Sequence, residues 1–407
     1  MSLTATAPLV NPAGAQHPVA VSLNAIIDEL AIYFQERRPV IQAMVLAVLA
    51  KHHVIILGPP GTAKSMLTRA LFARILRAAY FEALLSKTRP AEAILGPYDI
   101  PELRDSGSLH RKIGGFLPTA NFAMLDEFGK MSPTLGHDML AVILERRLHQ
   151  VNGGRSWIDC PLYTFIGGTN ELPTEESDDA AALWDRVLVR TTVDNIQESS
   201  NFATMLTNTA DPTRGTTVEF TDLADAVDSV VPATQIPTDV VELVVRLRDD
   251  LRGQHDIVLS DRRWRQSMDL LKASAFLNGR TAVTDDDIQV LRYTLWELPS
   301  QINTVERATL AVSNPIAEAA LKLLEDIEGI AAGIRDRKGQ SLESMAKFGA
   351  ESNGKLKIIQ SELGQKKQEC LAAGRSTIKL DEVGDRIKTV QRSIFIDCLG
   401  MDPDTVP

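Results

Sequence analysis

The sequence predicts an α/β fold, a doubly wound parallel sheet, followed by an all-helical lid and a C-terminal helical bundle. Three observations lead there. A short apolar run, a glycine-bearing loop and a helical pattern follow one another around residues 54–77. Two more apolar runs recur between helical patterns within the first 200 residues. Strand patterning then stops, and the later chain reads as helix. Alternation of strand and helix is the mark of a parallel sheet covered on both faces.

Residues 1–20 are rich in Ala, Pro, Thr and Val, with no basic cluster ahead of an apolar run. They read as a mobile tail and not as a signal peptide. Leu23, Ile26, Ile27 and Leu30 share one helical face, as do Ile41, Val45 and Leu49, and Pro39 divides the two helices. Residues 54–57 are wholly apolar and bounded by Gly58, which suits a central parallel strand. Residues 66–77 read as a helix. Buried strands are expected at 122–125 and 163–167, with a helical pattern at 135–147 between them.

Residues 238–251 form an amphipathic pattern. Ser260 is placed to N-cap a helix through Trp264, Met268 and Leu271, and Thr284 with Asp287 makes a capping-box-like start to a helix through Trp296. Further on, Ile316, Ala320, Leu323, Ile327 and Ile330 share a face. So do Leu356, Ile359 and Leu363, and then Leu380, Val383, Ile387, Val390 and Ile394. Three such stripes with charged flanks predict a bundle or antiparallel coil.

The 407 residues suffice for two or three domains. A net charge of -10 repels nucleic-acid phosphates and argues against a DNA or RNA partner. Cys160, Cys370 and Cys398 have neither metal-ligand spacing nor a disulfide framework, as expected of thiols in a reducing compartment. The apolar stretch at 40–57 is broken by Lys51, His52 and His53, so no transmembrane segment is expected. The reading is a cytoplasmic protein.

Gly58, Pro59, Pro60, Gly61, Thr62, Ala63, Lys64 and Ser65 nearly match the phosphate-loop pattern G-x-x-x-x-G-K-[ST]; Ala63 stands where the pattern has Gly. The backbone N–H groups of such a loop wrap a triphosphate, and the helix that opens around Met66 adds its dipole. Lys64 would reach the β and γ phosphates, and Ser65 would ligate Mg²⁺. Asp126 and Glu127 end an apolar run. A carboxylate at the tip of a buried strand can hold Mg²⁺ through water, and its neighbour can polarise the attacking water. Asn170 follows the third strand and could orient that water. Arg186, Arg262 and Arg263 are guanidinium groups able to neutralise charge on a phosphoryl group in transfer. Taken singly, each has a plain alternative as a turn residue, an acidic pair or a surface ion-pair partner.

Together the set resembles the AAA+ ATPases and, within them, the MoxR family. The runs GPPGTAKS, AMLDEFGKMSP, GGTNELP, LWDRVLVR and SDRRW occur in the family's order. The last three look most like the RavA (regulatory ATPase variant A) subfamily. The resemblance covers residues 23–300 and implies ATP and Mg²⁺ as cofactors, with Lys64 and Ser65 as Walker A and Asp126 and Glu127 as Walker B. It implies Asn170 as sensor 1, Arg186 as the arginine finger and Arg262 as the sensor 2 arginine, with Arg263 its competitor. It divides the chain into a tail (1–20), a nucleotide-binding α/β domain (21–215), an all-α lid (216–310) and a C-terminal helical domain (311–407). It also implies a β-hairpin insertion at 105–118 and a second insertion at 149–162. Leu109, His110 and residues 113–116 are candidates there for client contact, as opposed to plain surface.

The function so implied is a homo-hexameric, chaperone-like ATPase that remodels a protein client, with a VWA-domain protein as partner. RavA-like proteins add a small β domain between C-terminal helices, and no strand-rich stretch of that size follows residue 310. Alternatives are a helicase-like nucleic-acid motor, a chelatase-type ATPase subunit and a non-hydrolysing nucleotide-gated scaffold. The acidic charge argues against the first, and the full set of catalytic residue types argues against the last.

Overall fold

The computed structural model describes residues 16–107, 109–131, 133–152, 154–172, 184, 186–337, 341–372 and 377–401. Most of the expected tail, residues 1–15, lies outside them. The chain divides into two compact units. One takes in the residues up to Pro237, with Leu259–Val283 and Val290–Pro299. The other takes in Thr238–Val258, Thr284–Gln289 and the residues from Ser300 on.

The first unit opens with helices α1 (Pro18–Tyr33) and α2 (Arg38–Leu49). Pro39 lies in the first turn of α2, where a missing N–H leaves no intrahelical bond unmade. Nine strands follow among the described residues: β1 (Val54–Leu57), β2 (Ile75–Leu76), β3 (Tyr80–Leu84), β4 (Phe122–Asp126), β5 (Arg147–Asn152), β6 (Gly154–Asp159), β7 (Thr164–Thr169), β8 (Val189–Thr192) and β9 (Val218–Glu219). Five of them form a parallel sheet in the order β3-β4-β7-β1-β8. Every residue of β1 and β7 is buried, which is why their sequences are continuously apolar or small.

This order sets up the site. The chain leaves β1, passes to the sheet edge at β3, and returns through β4 to β7, which pairs with β1. Ligands of open α/β sheets lie outside the carboxyl ends of strands where the connections diverge in this way. Gly58, Glu127 and Asn170 directly follow β1, β4 and β7.

Helix α3 (Lys64–Ala73) follows β1 and stops sooner than the expected residue 77, because β2 then pairs in parallel with β9. Helices α4 (Glu92–Leu95) and α5 (Ile100–Ser106) come next. No hairpin forms across the described residues of 105–118. There is instead an antiparallel bridge from Tyr98 to Arg111, held by Asp99 N donating to His110 O (2.8 Å) and Lys112 N to Pro97 O (2.8 Å). The second insertion does form a hairpin: β5 and β6 pair antiparallel, with Arg147 opposite Asp159. Helix α6 (Pro133–Leu140) runs into a π turn, Ala141–Glu145, and ends at Arg146 in a left-handed conformation (φ 53°).

Helix Asp261–Leu277 begins where expected, with the Ser260 hydroxyl accepting from Arg263 N (3.3 Å). Thr284 and Asp287 also make their cap, Thr284 N donating to the Asp287 carboxylate (2.9 Å). The turn that follows, Asp285–Tyr293, is 3-10 and not α. In the second unit, helices Pro315–Asp336, Leu342–Ala372 and Ile378–Ser393 share one core. Leu323, Ile327, Ile330, Leu356, Ile359, Leu363, Leu380, Val383, Ile387, Val390 and Ile394 are all in it. Among the described residues no helix is long and apolar enough to cross a membrane.

Candidate nucleotide-binding site

The loop Gly58–Ser65 is shaped by close backbone packing. Gly58 N donates to Thr169 O (3.0 Å) and Val193 N to Leu57 O (2.9 Å), so the loop leaves the sheet between β7 and β8. A Cβ on Gly58 would lie 2.0 Å from Val193 O, so no side chain fits there. Gly61 (φ 81°) and Ala63 (φ 65°) both adopt left-handed conformations. Position 63 therefore has the geometry that glycine meets without strain, and alanine meets it at a cost of about 1–2 kcal/mol. The Thr62 hydroxyl donates to Pro59 O (2.9 Å) and braces the turn. Pro60 and the outward-facing Met66 are exposed at its rim.

Lys64 is buried at the start of α3. Its ammonium donates to Gly58 O (2.6 Å), Pro59 O (2.9 Å) and the Asn170 Oδ1 (2.9 Å). Burial lowers its pKa below the usual lysine value, against the opposing pull of Asp126 and Glu127. Ser65 Oγ donates to Asp126 Oδ2 (2.7 Å). The other Asp126 oxygen accepts from Glu127 N (3.0 Å). Gly168 of β7 makes room for this carboxylate, since a Cβ there would stand 2.6 Å from Asp126 Oδ1.

Glu127 turns away from β4 through a left-handed backbone (φ 56°). Its Oε1 accepts from Asn170 Nδ2 (3.2 Å) and its Oε2 pairs with Lys130 Nζ (3.0 Å). Five sequence-predicted residues thus meet: Lys64, Ser65, Asp126, Glu127 and Asn170. Lys130 was missed, although its i,i+3 spacing from Glu127 is the signal that finds it.

The predicted arginines stand apart from that cluster. Arg186 makes no hydrogen bond or ion pair with any of the five among the described residues. It lines a cleft of about 550 Å³ together with Tyr98, Leu109, Arg111, Asp138 and Glu145, a cleft whose walls include no phosphate-loop residue. Leu183 and Asp185, which flank it in the run LWDRVLVR, lie outside the described residues. Arg262 is exposed, whereas Arg263 is buried and donates to Leu188 O (2.9 Å), Thr294 O (2.8 Å) and Val187 O (3.2 Å). Arg263 therefore belongs to the framework around β8.

The donor set fits Mg²⁺. A hydroxyl and a carboxylate oxygen converge at the loop, which suits a cation that takes one or two protein oxygens plus phosphates and water. Among the described residues no cluster of three or more His, Cys, Asp or Glu is arranged to cage a metal alone.

Comparison with known proteins gives the family and the fold. Residues 21–228 match the model of the MoxR domain in MoxR-vWA-beta-propeller ternary systems, and residues 239–309 match an AAA lid domain. Two uncharacterized proteins of Methanocaldococcus jannaschii are similar. One is 31% identical over 366 residues, covering 89% of this chain and 93% of that protein. The other is 32% identical over 310 residues, covering 76% and 80%. A solved structure of a candidate ATPase from Cytophaga hutchinsonii shares the fold, with a TM-score of 0.56 at 15% identity over 71% of this chain and 94% of that one.

Proposed function

This chain belongs to the MoxR family of AAA+ ATPases, and we propose from that premise that it hydrolyses ATP at the Gly58–Ser65 loop to remodel a protein partner. The observation that carries the reading is the single network joining Lys64, Ser65, Asp126, Glu127 and Asn170. Lys64 would exchange its bonds to loop carbonyls for the β and γ phosphates. Ser65 and Asp126 would hold Mg²⁺, which supplies charge neutralisation at the phosphates. Glu127 would accept the proton of the attacking water, and Asn170 would orient that water.

Arg186 lies apart from this network, and that supports a role in trans. An arginine finger acts on a neighbouring subunit's nucleotide, so a ring, taken here as a hexamer, makes turnover depend on assembly. Arg262, exposed at the start of its helix, is the better sensor 2 candidate, because the Arg263 guanidinium is already committed to three carbonyls. The matched model's description supports a VWA-domain protein and a β-propeller protein as partners. The RavA-like motifs bear on the ATPase ring alone, since among the described residues after 310 every element is a helix. Absence of a membrane-crossing helix among the described residues is consistent with a cytoplasmic location.

Mixing tests the assembly. Arg186→Ala subunits titrated into wild-type protein should depress turnover more than in proportion to their fraction. A strictly linear decline would remove Arg186 from its neighbour's site.

A further inference from the structure

We propose that Arg190 and Arg263 are positioning residues that hold Arg186 by its backbone and tie it to the helix that carries Arg262. This rests on the reading of Arg186 as the group that neutralises charge on a phosphoryl group in transfer. The two guanidiniums bracket Arg186 in the chain. Arg190 donates to Trp184 O (2.6 Å), on the near side of it. Arg263 donates to Val187 O (3.2 Å) and Leu188 O (2.9 Å), on the far side. Both also reach one short stretch after the 3-10 turn, Arg190 at Trp296 O (2.7 Å) and Arg263 at Thr294 O (2.8 Å).

Side chains close the bracket. The Arg190 guanidinium lies 4.6 Å from the centroid of the Trp184 ring. The Trp184 and Trp296 rings meet edge to face, with centroids 6.3 Å apart. Ser267 Oγ, on the same helix as Arg263, stands 2.9 Å from Thr294 Oγ1. Arg190, Arg263, Thr294 and Trp296 are all buried. A buried guanidinium is costly unless its N–H groups are met, so displacing either side of the bracket strands a cation. The planar fork is what spans two carbonyls at once. An ammonium, a point charge on a flexible stem, does not reproduce it.

The bracket has a consequence for the second arginine. Arg262 precedes Arg263 in the first turn of helix Asp261–Leu277. A shift of that helix start carries Val187 and Leu188 with it, and so carries Arg186. Arg186 and Arg262 thus belong to one block, whereas the Arg186 side chain itself lines the cleft beside Tyr98 and Glu145.

Double-mutant cycles in steady-state ATP turnover of the full chain test the bracket. Arg190→Lys and Arg263→Lys each keep a cation and remove the fork, alone and combined with Arg186→Ala. Each should lower kcat about 10- to 100-fold, the upper end being the cost of misplacing a group by about 1 Å. KM and ATP affinity should stay within about two-fold of wild type, because the lost contact belongs to the transition state. Combined with Arg186→Ala, neither should lower kcat further, since a misplaced Arg186 and an absent one lose the same contact. Trp184→Leu takes the ring from the guanidinium and leaves the buried cation its carbonyls. It should give a smaller fall with the same non-additivity, and it carries the cycle if a lysine variant fails to fold. A wild-type kcat in a folded variant, or a fall that multiplies with that of Arg186→Ala, overturns the positioning role. Wild-type turnover by Arg186→Ala would instead defeat the reading of Arg186 itself.

Discussion

Within the phosphate loop, what the residues can do is decided by backbone geometry as much as by side-chain chemistry. Ala63, the one departure from the loop pattern, holds the φ of 65° that glycine would hold, so the loop's shape is kept and only a small strain is added. The two adjacent arginines show burial separating roles that sequence left equal. Arg263→Ala would leave the carbonyls of Leu188, Thr294 and Val187 short of a donor, and a loss on the order of 3 kcal/mol in urea unfolding is expected. Arg262→Ala should stay within about 0.5 kcal/mol of wild type, as exposed substitutions do, yet lower kcat about ten-fold or more if it touches the phosphates. Normal turnover in Arg262→Ala would remove it from the site. Lys64, Ser65, Asp126, Glu127 and Asn170 were legible because each follows a strand or loop whose pattern is local. Lys130 was not, because its i,i+3 spacing from Glu127 gains meaning only once the left-handed Glu127 backbone and the 3-10 turn bring the two side chains together.

Among the elements, legibility followed burial. Strands β1, β4 and β7 announce themselves as apolar runs because both their faces are covered. The sheet's outer strands do not. Strand β3 places Glu82 between exposed positions, with Tyr80 and Leu84 open to solvent, so it lacks a continuous apolar run. In β8 a buried Arg190 interrupts the pattern, its two terminal nitrogens donating to the carbonyls of Trp296 (2.7 Å) and Trp184 (2.6 Å). The hairpin expected at 105–118 is not seen among the described residues: Asp99 caps α5, which takes in Asp105 and Ser106, and an antiparallel bridge joins Tyr98 to Arg111. In the C-terminal helices the apolar stripes and the observed core coincide, since a stripe with charged flanks has only one face to bury.

One buried contact joins His53, the residue before β1, to β7 and the π turn Ala141–Glu145, and it is sensitive to pH. His53 accepts from Phe165 N at Nδ1 (3.1 Å), so its Nε2 carries the proton and donates to Ile143 O (2.8 Å). Burial, reinforced by the charge of Arg146, depresses its pKa from 6.5 to about 3. The unfolded chain binds the proton between those values and the folded chain does not. Stability conferred by the neutral ring is therefore complete above pH 6.5 and is lost as pH falls toward 3. Urea midpoints should drop between pH 7 and 5.5, ahead of carboxylate titration, and the drop should shrink in His53→Asn. A variant with the full wild-type pH slope would assign the effect elsewhere.

At the scale of the whole molecule, the sequence carries one nucleotide loop, one Walker B pair and arginines that stand away from both. On the proposed reading such a chain would hold a triphosphate by itself and would need a neighbour's arginine during transfer, which is why assembly enters the proposal. What the ring would act on is the least legible part, because a client or a VWA partner is recognised by surfaces that obey no local pattern. The central claim is narrower and more direct: Glu127 activates water at the Gly58–Ser65 loop. Phosphate release from Mg²⁺-ATP by wild type and Glu127→Gln, with ATP binding followed in the same samples, measures it. The account predicts that both proteins bind ATP and that turnover in Glu127→Gln falls by at least about 10²-fold, the lower end of what general-base catalysis supplies. Phosphate release by Glu127→Gln at the wild-type rate would contradict it.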